Sequence, residues 1–492
     1  MKATLPTDDI CYRALCARDA RFDGRLFVGV KTTGIYCRPI CPARTPKREN
    51  CRFFPSAAAA QTSGFRPCLR CRPEISPDAA AWRGTSNTVS RALSLIAEGA
   101  LDGEASVEAL ADMLGLGERQ LRRLFEEKLG VPPIAVAQTR RILFAKQLIQ
   151  ETRLSMVQVA EASGFGSVRR FNDAFRKLYR RAPRDLRALR SAGAEPSLVT
   201  LRLGYRPPYD WDAILAFFAA RAIPGVESVE NGRYRRTIAF DGIVGSVDVA
   251  PGPQSLVATI RLPQLRALLS IVARLRRMFD LDADVEVIGA HLSHDAELAR
   301  LVARRPGLRT PGAWDGFELA VRAVLGQQIT VGGARTLAGK LARLAGTAVP
   351  REATGHDSLT HLFPTPQQLA AADLAHFGMP RARIAALQSL ARAAAADPKL
   401  LEAKHAHDDV MARVLALPGF GEWTTQYWAL RALRDSDAFP AADVGLLRAA
   451  SNGKRMTAKA LMERAECWRP WRAYAAQHLW AADADKRSEA NV

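Results

Sequence analysis

One segment of this chain, a tight turn followed by a helical pattern, limits the folds that the chain can adopt more than any other segment does. The sequence Leu417-Pro-Gly-Phe-Gly-Glu-Trp-Thr-Thr-Gln-Tyr427 places Gly419 and Gly421 directly before residues with helical spacing. Glycine has no Cβ and accepts positive φ, so the backbone of such a turn can approach another molecule closely. The first N–H groups of the helix would face outward, and a helix start attracts phosphate. An acidic residue, Asp443, lies twenty residues beyond Trp423.

The combination of hairpin, helix and downstream aspartate resembles the helix-hairpin-helix DNA glycosylases. From Leu201 to Ala481 the chain resembles AlkA-type 3-methyladenine DNA glycosylase II, for example at Tyr205–Trp211 and at Phe317–Gln328. The family has a mixed α/β amino-terminal domain and an all-α domain that holds the cleft. The resemblance therefore implies a mixed α/β glycosylase domain over 200–305 and a helix-hairpin-helix catalytic domain over 306–483.

The chemistry of base excision suggests which side chains matter. An alkylated purine such as 3-methyladenine is cationic, so an enzyme that removes it needs electron-rich aromatic faces and a carboxylate near the sugar. Asp443 is the candidate catalytic carboxylate, and its place before Val444 also suits a helix N-cap. The resemblance assigns the base-binding pocket to Phe217, Gln327, Trp423, Tyr427 and Trp480. We expect Trp468 and Trp471 to pack in the core.

The hairpin helix also predicts the type of reaction. Relatives that cut the DNA strand carry a lysine where this chain has Trp423, so we expect a monofunctional glycosylase that leaves an abasic site. No four-cysteine cluster lies near the carboxyl end, and no iron–sulfur centre is expected. The resemblance implies that Gly419 and Gly421 hold the DNA backbone, with room for a monovalent cation. Gln328 stands where the family uses an apolar wedge.

Seven of the eight cysteines fall in the first 71 residues. Cys37 and Cys41 are separated by three residues, and Cys68 and Cys71 by two. Two short loops that each supply two thiolates suit one tetrahedral Zn²⁺, and a disulfide scaffold is the less favoured alternative. We expect the remaining amino-terminal cysteines, Cys11, Cys16 and Cys51, to be packing residues.

The residues around the cysteine quartet resemble the zinc domain of the Ada adaptive-response regulators. The matching segments are Thr32–Cys41 and Gly64–Glu74. That resemblance implies a small α/β domain over 1–76 that binds one Zn²⁺ and takes a methyl group irreversibly from a DNA methyl phosphotriester onto Cys37. It also assigns DNA contacts to Thr33, Arg44 and Arg66. The Pro-Cys-His-Arg motif of the O-alkylguanine repair domain is absent from the chain.

A helix–glycine turn–helix unit occurs twice between residues 106 and 175. An ordinary helical hairpin is the alternative, but Gly117 to Arg190 holds 17 Lys and Arg against 7 Asp and Glu, an excess of ten. The pattern resembles AraC-type DNA-binding domains, in which the second helix of each unit enters the major groove. It implies an all-α domain over 88–190. The predicted reading faces are Glu118, Arg119, Gln120, Arg122 and Arg123, and then Val168, Arg169, Arg170 and Asn172.

A chain of 492 residues with a net charge of +20 is expected to have several domains and a polyanionic partner. A basic but merely solvated surface is the alternative. No segment resembles a membrane span or a leader, so we expect a soluble, nucleoid-associated protein of the bacterial cytoplasm. The predicted linkers are Pro77–Asn87 and Ser191–Pro196, and the tail after Asp483 is predicted to be disordered.

These features together predict a methyl-phosphotriester sensor and AraC-type activator fused to an alkylbase glycosylase. Its partners would be alkylated DNA, promoter DNA and RNA polymerase, and we expect a monomer. One rival interpretation is a regulator whose glycosylase-like half binds DNA without catalysis. Another treats the zinc domain as purely structural. The sequence motifs favour the bifunctional interpretation over both.

Overall fold

The structure is a computed structural model that describes residues 5–76, 87–102, 105–187, 198–398, 400–401, 407–451 and 456–489. The predicted linker Ser191–Pro196 lies outside these residues. So does the linker Pro77–Asn87, except for Asn87, which begins a helix. Among the described residues, no helix is long and apolar enough to cross a lipid bilayer.

The first domain is built around a small four-stranded sheet. Its elements are α1 (Asp8–Cys16), β1 (Phe27–Val30), β2 (Ile35–Cys37), β3 (Cys51–Phe54), α2 (Ala57–Thr62) and β4 (Arg66–Pro67). The strand order is β3-β1-β2-β4, with β2 and β4 parallel. Because β2 ends at Cys37 and β4 leads directly into Cys68, this parallel pair places the two cysteine loops side by side.

The second domain consists of helices joined by glycine turns. They are α3 (Asn87–Ala97), α4 (Val107–Met113), α5 (Glu118–Leu129), α6 (Pro133–Glu151), α7 (Met156–Ala162) and α8 (Val168–Tyr179). Gly115 and Gly164 take φ of 71° and 75°, which side chains with a Cβ rarely adopt, so each ends the first helix of its unit. Ser167 caps α8 through its hydroxyl, which accepts from the Arg170 N–H.

The third domain carries a five-stranded antiparallel sheet of order β5-β9-β8-β7-β6. Its elements are β5 (Leu198–Gly204), α9 (Trp211–Arg221), β6 (Glu227–Glu230), β7 (Arg233–Phe240), β8 (Ile243–Gly252), β9 (Ser255–Arg261), α10 (Leu268–Met278), α11 (Val285–Leu292) and α12 (Ala296–Arg304). Alternate residues of β5 and β9 are buried, which matches their period-two apolar pattern.

The rest of the chain is helical. Its elements are α13 (Gly316–Leu325), α14 (Val331–Ala345), α15 (Arg351–Thr354), α16 (Pro366–Ala371), α17 (Arg381–Ala396), α18 (His407–Leu415), α19 (Glu422–Trp428), α20 (Val444–Ala449), α21 (Ala458–Ala465) and α22 (Arg472–Glu489). The predicted hairpin joins α18 to α19. Gly419 alone requires glycine: its φ is 83°, and an added Cβ would lie 2.8 Å from Ala386 Cβ. Gly421 has an ordinary φ of −92°.

Helix α6 connects the first three domains. Its first half packs in one apolar core with the zinc-domain residues Phe54 and Phe65, and its second half packs in another core with Val199 and Leu201 of β5. The predicted multidomain fold class is confirmed.

The structure corrects the predictions for the tail after Asp483 and for Cys16, and it confirms the burial of two tryptophans. The tail is helical to Glu489 as the last part of α22, and Asp485 forms an ion pair of 2.9 Å with Arg305. Cys16 is exposed, so it is not a packing residue, whereas Cys11 and Cys51 are buried. Trp468 and Trp471 are buried in the core, as predicted.

Candidate functional site

A cavity of about 960 Å³ opens between α9, α14, α19, α20 and α22. Phe217, Trp423, Tyr427, Trp480 and Asp443 all line it. These residues are spread over more than 260 positions of sequence, so only the tertiary fold brings them together. The cavity is large enough for a purine, and its wall combines aromatic rings with the carboxylate of Asp443 at the start of α20.

The Asp443 carboxylate is held by four N–H donors. As the N-cap of α20, its Oδ1 accepts from the backbone N–H groups of Gly445 at 2.9 Å and Leu446 at 3.1 Å. The Trp480 indole Nε1 donates to the same oxygen at 2.8 Å, and the Trp423 Nε1 donates to Oδ2 at 3.0 Å. Donors of this kind hold the carboxylate in place and fix its direction. Oδ2 has the fewer partners and is therefore the oxygen better able to serve a ligand.

Three aromatic rings form the wall beside this carboxylate. Trp423 and Tyr427 lie one helical turn apart on α19 and are stacked at 7°, with ring centroids 5.5 Å apart. Trp480 meets Tyr427 edge to face, at 6.3 Å and 76°. Each of the three is partly exposed to the cavity. Such a wall offers stacking surfaces to a planar, electron-poor ring.

Two arginines cover the remaining aromatic residue, Phe217. The guanidinium carbons of Arg221 and Arg431 lie 3.9 Å and 4.1 Å from its ring centroid. Arg431 also donates to the Tyr427 hydroxyl at 2.8 Å. Burial, outweighing the opposing Tyr427 charge, lowers the pKa of Arg431 to about 10. Burial raises the pKa of Tyr427, but Arg431 and Arg221 outweigh it, and the net shift is downward.

The two predicted glutamines lie outside the lining of the cavity. Gln327 was expected in the base pocket, but its amide donates to the Gly419 carbonyl at 2.8 Å and so braces the hairpin instead. Gln328 is exposed at the apex of the turn between α13 and α14, with φ of 58°. Gly419 and Gly421 are both exposed on the hairpin, where a DNA backbone could reach them.

Sequence reasoning missed the charged residues that line the cavity besides Asp443, among them Arg431, Arg448 and Asp483. Arg431 lies four residues beyond Tyr427, and Asp483 lies three beyond Trp480, so helical spacing could have indicated both. Asp483 forms a paired contact with Arg448, at 2.7 and 2.9 Å, and both line the cavity. Nothing in the sequence indicates that Arg448 forms an ion pair with Asp483.

The cysteine quartet forms a second candidate site. The Sγ atoms of Cys37, Cys41, Cys68 and Cys71 all lie within 4.8 Å of one another. Zn–S bonds of about 2.3 Å place the sulfurs of a tetrahedron ~3.8 Å apart, so the residues present fit one Zn²⁺. Cys37 is half-buried, whereas the other three are buried.

The four sulfurs differ in their hydrogen bonds. The Arg38 N–H donates to Cys71 Sγ at 3.3 Å, and the Arg70 N–H donates to Cys68 Sγ at 3.4 Å. Among the residues that the structure describes, no such donor is found for Cys37. An N–H donor withdraws electron density from a thiolate, so such donors stabilise the thiolates of Cys68 and Cys71 but not that of Cys37.

The predicted DNA contacts lie on accessible surfaces. Thr33 and Arg44 are exposed near the cysteine loops, and Arg66 is half-buried on β4. Arg119, Gln120, Arg122 and Arg123 are exposed on α5, and Arg169 and Arg170 on α8, where Asn172 is half-buried. Glu118 pairs with Arg122 at 2.5 Å, and Val168 packs partly against the core.

Comparison with known proteins assigns families to three parts of the chain. Residues 10–74 match the family described as the metal-binding domain of Ada, 110–189 a helix-turn-helix domain family, and 200–315 the AlkA N-terminal domain family. The four cysteines are therefore a zinc site, and the helical second domain is a DNA-binding domain of the helix-turn-helix class.

Two relatives and one solved structure extend this comparison. A probable bifunctional transcriptional activator/DNA repair enzyme AlkA of Mycobacterium tuberculosis is 43% identical over 476 residues, or 96% of this chain and 95% of the relative. DNA-3-methyladenine glycosylase 2 of Escherichia coli is 36% identical over 58% of this chain and 99% of its own. The 3-methyladenine DNA-glycosylase structure from Archaeoglobus fulgidus covers 57% of this chain and 98% of its own, with a TM-score of 0.51 and 23% identity, and supports the fold.

Proposed function

The chain belongs to the family of bifunctional transcriptional activator/DNA repair enzymes of the AlkA type, and from this premise we propose that it both excises alkylated bases and senses methylated DNA. Its glycosylase half hydrolyses the N-glycosidic bond of bases such as 3-methyladenine. Its amino-terminal half takes a methyl group from a phosphotriester and regulates transcription. The observation that carries the glycosylase assignment is the Asp443 carboxylate, held by two indole N–H groups on an aromatic cavity.

Base excision requires the damaged nucleotide to leave the duplex and enter this cavity. There the base stacks on the wall of Trp423, Tyr427 and Trp480. As the bond from the sugar to the base breaks, positive charge develops on the sugar, and the Asp443 carboxylate stabilises that charge. Water then adds to the sugar, which leaves an abasic site. Because position 423 is tryptophan, the hairpin helix offers no amine there for a Schiff base, and the strand stays intact.

The direct test is release of 3-methyladenine from alkylated duplex DNA by the full chain. We expect free base in the supernatant and abasic sites in a strand that remains uncut until alkali is added. If no base is released while the zinc domain still accepts methyl groups, the protein is a regulator with a non-catalytic glycosylase-like half.

The indole donors can be tested separately from the carboxylate. Trp480→Phe keeps an aromatic ring but removes the donor to Asp443 Oδ1, and a hydrogen bond to a charged group contributes about 1.5–3 kcal/mol. We therefore expect base release to slow by roughly 10- to 100-fold. Trp471→Phe, at a buried indole outside the cavity lining, serves as the control and should keep the wild-type rate in single-turnover assays. Equal rates of base release by Trp480→Phe and Trp471→Phe would show that the hydrogen bond from the Trp480 indole to Asp443 does not contribute to catalysis.

The zinc domain carries the sensing reaction. Bound Zn²⁺ keeps the four thiolates deprotonated at neutral pH. Cys37 Sγ attacks the methyl carbon of the phosphotriester, so an S–C bond forms, the C–O bond breaks and the phosphate regains its negative charge. Cys37 becomes a thioether, and the cluster loses one negative charge. Repulsion from the DNA backbone falls, and promoter binding tightens.

Cys37→Ala should abolish methyl uptake, because Cys37 is the half-buried cysteine of the cluster and the other three are buried. The measurement is transfer of labelled methyl from methylated DNA to protein, followed by peptide mass spectrometry. Cys16→Ala, at an exposed cysteine outside the cluster, is the matched control and should take up methyl normally. Induction by alkylating agents should disappear in Cys37→Ala alone. Induction that survived this change would refute the switch.

The remaining contacts follow from the same proposal. Thr33, Arg44 and Arg66 hold the DNA backbone near Cys37, and the exposed residues of α5 and α8 read the promoter. Gly419 and Gly421 hold the phosphate beside the lesion, with a monovalent cation at the hairpin. The protein acts as a nucleoid-associated monomer and recruits RNA polymerase.

A further inference from the structure

One ion pair lies on the wall of the glycosylase cavity near Asp443 and has no part in the proposed chemistry. Arg448 Nε and Nη2 donate to the two carboxylate oxygens of Asp483 at 2.9 and 2.7 Å, and both residues line the cavity. The Asp483 side chain is mostly buried, whereas that of Arg448 is 50% exposed. An ion pair with a half-exposed partner adds little to stability. Stability alone therefore gives little reason for an arginine at this point of the wall.

The packing of α20 on α22 holds this pair next to Asp443. A Cβ built on Gly445 would lie 3.1 Å from Asp443 Oδ1 and 3.5 Å from Asp483 Oδ2, so the two carboxylates are close neighbours. Hydrogen bonding to Asp483 is the main cause that raises the pKa of Arg448, and the charge of Asp443 raises it further. The Arg448 guanidinium is thus a cation fixed close to the carboxylate that would face the sugar.

The guanidinium of Arg448 keeps one edge for another ligand. A guanidinium has more N–H donors than one carboxylate can accept from, and they lie in a rigid plane. Asp483 occupies the edge formed by Nε and Nη2, whereas Nη1 has no hydrogen-bond partner in the described part of the chain. Because the paired edge fixes the plane of the group, Nη1 can bind a ligand with little further loss of side-chain entropy.

The chemistry at Asp443 determines which ligand comes to this edge. The proposed reaction brings the sugar of the withdrawn nucleotide against the Asp443 carboxylate. That sugar carries a phosphate on each side, only a few bonds from the carbon that bears the base. Arginine binds DNA phosphates through charge-assisted hydrogen bonds. Arg487, which is exposed on the cavity wall one turn beyond Asp483, adds a second positive charge on the same face of α22.

We propose that Arg448, held in place by Asp483, binds a phosphate that flanks the withdrawn nucleotide. Arg448 is then a binding residue, and Asp483 is a positioning residue that acts through it. The site lies on the cavity wall where α20 meets α22, whereas Gly419 and Gly421 hold the DNA backbone from the hairpin before α19. The inference rests on the proposed glycosylase function and adds a phosphate contact to it.

The first test measures the affinity of the full chain for two duplexes of one sequence, one undamaged and one with a tetrahydrofuran abasic analogue. Arg448→Gln should weaken binding of the abasic duplex roughly tenfold, the effect of losing a hydrogen bond to a charged group. It should also lower the slope of log K against log salt by about one. The undamaged duplex, from which no nucleotide is withdrawn, should lose much less affinity. Equal losses on the two duplexes would overturn the proposal.

Arg469→Gln is the matched control for this comparison. The Arg469 side chain is 47% exposed and pairs with Asp437 and Glu466, and it lies outside the cavity lining. Arg469→Gln should therefore keep the wild-type affinity for both duplexes. A loss on the abasic duplex as large as that of Arg448→Gln would show that any exposed arginine of this half has the same effect, and would also overturn the proposal.

A neutral phosphate analogue tests the contact without depending on the folding of a variant. In the abasic duplex, a methylphosphonate replaces the phosphate on the 5′ or on the 3′ side of the analogue. One of the two replacements should weaken binding by the wild type about as much as Arg448→Gln does. The same replacement should not weaken binding by Arg448→Gln further, because the two changes remove one contact. Additive losses at both positions would show that Arg448 binds neither phosphate.

Asp483→Asn separates positioning from charge. Loss of a negative charge alone would tighten the binding of both duplexes by the same factor and would leave the preference for the abasic duplex unchanged. If Asp483 holds Arg448 in place, this preference should fall toward that of Arg448→Gln. An unchanged preference would show that Asp483 has no positioning role.

The outcome for the proposed function is read separately, from release of 3-methyladenine by the wild type. If the wild type releases no base, the proposed function itself fails. If it releases base while Arg448→Gln binds the abasic duplex as tightly as the wild type does, the phosphate site alone fails.

Discussion

Replacing Asp443 with asparagine should lower the rate of 3-methyladenine release by about 10²- to 10³-fold or more, the loss typical when a group that stabilises transition-state charge is removed. Asparagine has nearly the size of aspartate but carries no charge to oppose the cation that develops on the sugar. It also has a single acceptor oxygen, whereas Trp423 and Trp480 donate to two different oxygens of Asp443. One indole N–H would therefore face an amide N–H and lose its partner.

Asparagine is preferable to alanine at this position because it separates catalysis from folding. Asparagine caps helices as well as aspartate does, so α20 should keep its N-cap. The matched control is Asp210→Asn, at another helix-capping aspartate of the glycosylase half, whose carboxylate accepts from the Ala213 N–H at 2.9 Å. Single-turnover assays should find wild-type rates for Asp210→Asn. A wild-type rate for Asp443→Asn would show that the carboxylate is not catalytic.

The site residues that could be predicted from the residues alone are those that lie close together in the sequence, because their spacing indicates a shared metal site or a shared helix face. Cys37 and Cys41, or Trp423 and Tyr427, stand at intervals that imply one metal loop or one helix face. The resemblance to known families then related Asp443 and Trp480 to the hairpin. Local spacing does not indicate the contact of Gln327, which the resemblance assigns to the base pocket, because its amide donates to the Gly419 carbonyl of a hairpin more than 90 residues away.

The sequence does not indicate which residues far apart in the chain form ion pairs with each other. Arg448 and Asp483 look like surface charges until α20 and α22 pack together. The tail was misjudged for the same reason, since its polar composition suits a disordered segment, but Asp485 finds Arg305 on another part of the chain. Composition reports how many charges a segment carries and not which of them find partners.

The most consequential of these unpredicted pairs joins Lys146 of α6 to Glu74, three residues beyond the zinc ligand Cys71. Both side chains are fully buried, and Lys146 Nζ lies 2.6 Å from Glu74 Oε2 and 3.2 Å from the Cys68 carbonyl oxygen. Glu74 also accepts from Arg72, which in turn pairs with Glu151 of α6. The loop that carries two zinc ligands is thus attached to α6 by one fully buried ion pair and by a second pair, Arg72 with Glu151, that is mostly buried.

Lys146→Met should lower the free energy of unfolding of the zinc and helix-turn-helix portion by about 3–5 kcal/mol, because it leaves a buried carboxylate short of a partner. Arg122→Met, which breaks the exposed pair with Glu118, is the control and should cost less than about 1 kcal/mol. The double variant Lys146→Met/Glu74→Met should regain much of the loss, since two apolar side chains of similar size replace both charges. Urea titration of the three variants, followed by circular dichroism, measures these differences.

Metal removal provides the decisive comparison. If the Lys146–Glu74 pair connects the zinc loop to α6, chelation of zinc and Lys146→Met disturb the same contact, and their effects should not add. Chelation should then lower the urea midpoint of unfolding clearly more in the wild type than in Lys146→Met. If zinc binding and the Lys146–Glu74 pair stabilise the protein independently, their effects should add, and the chelator should lower the unfolding midpoint equally in the wild type and in Lys146→Met. In that case α6 and the metal loop would be stabilised separately, and the buried pair would contribute only to packing.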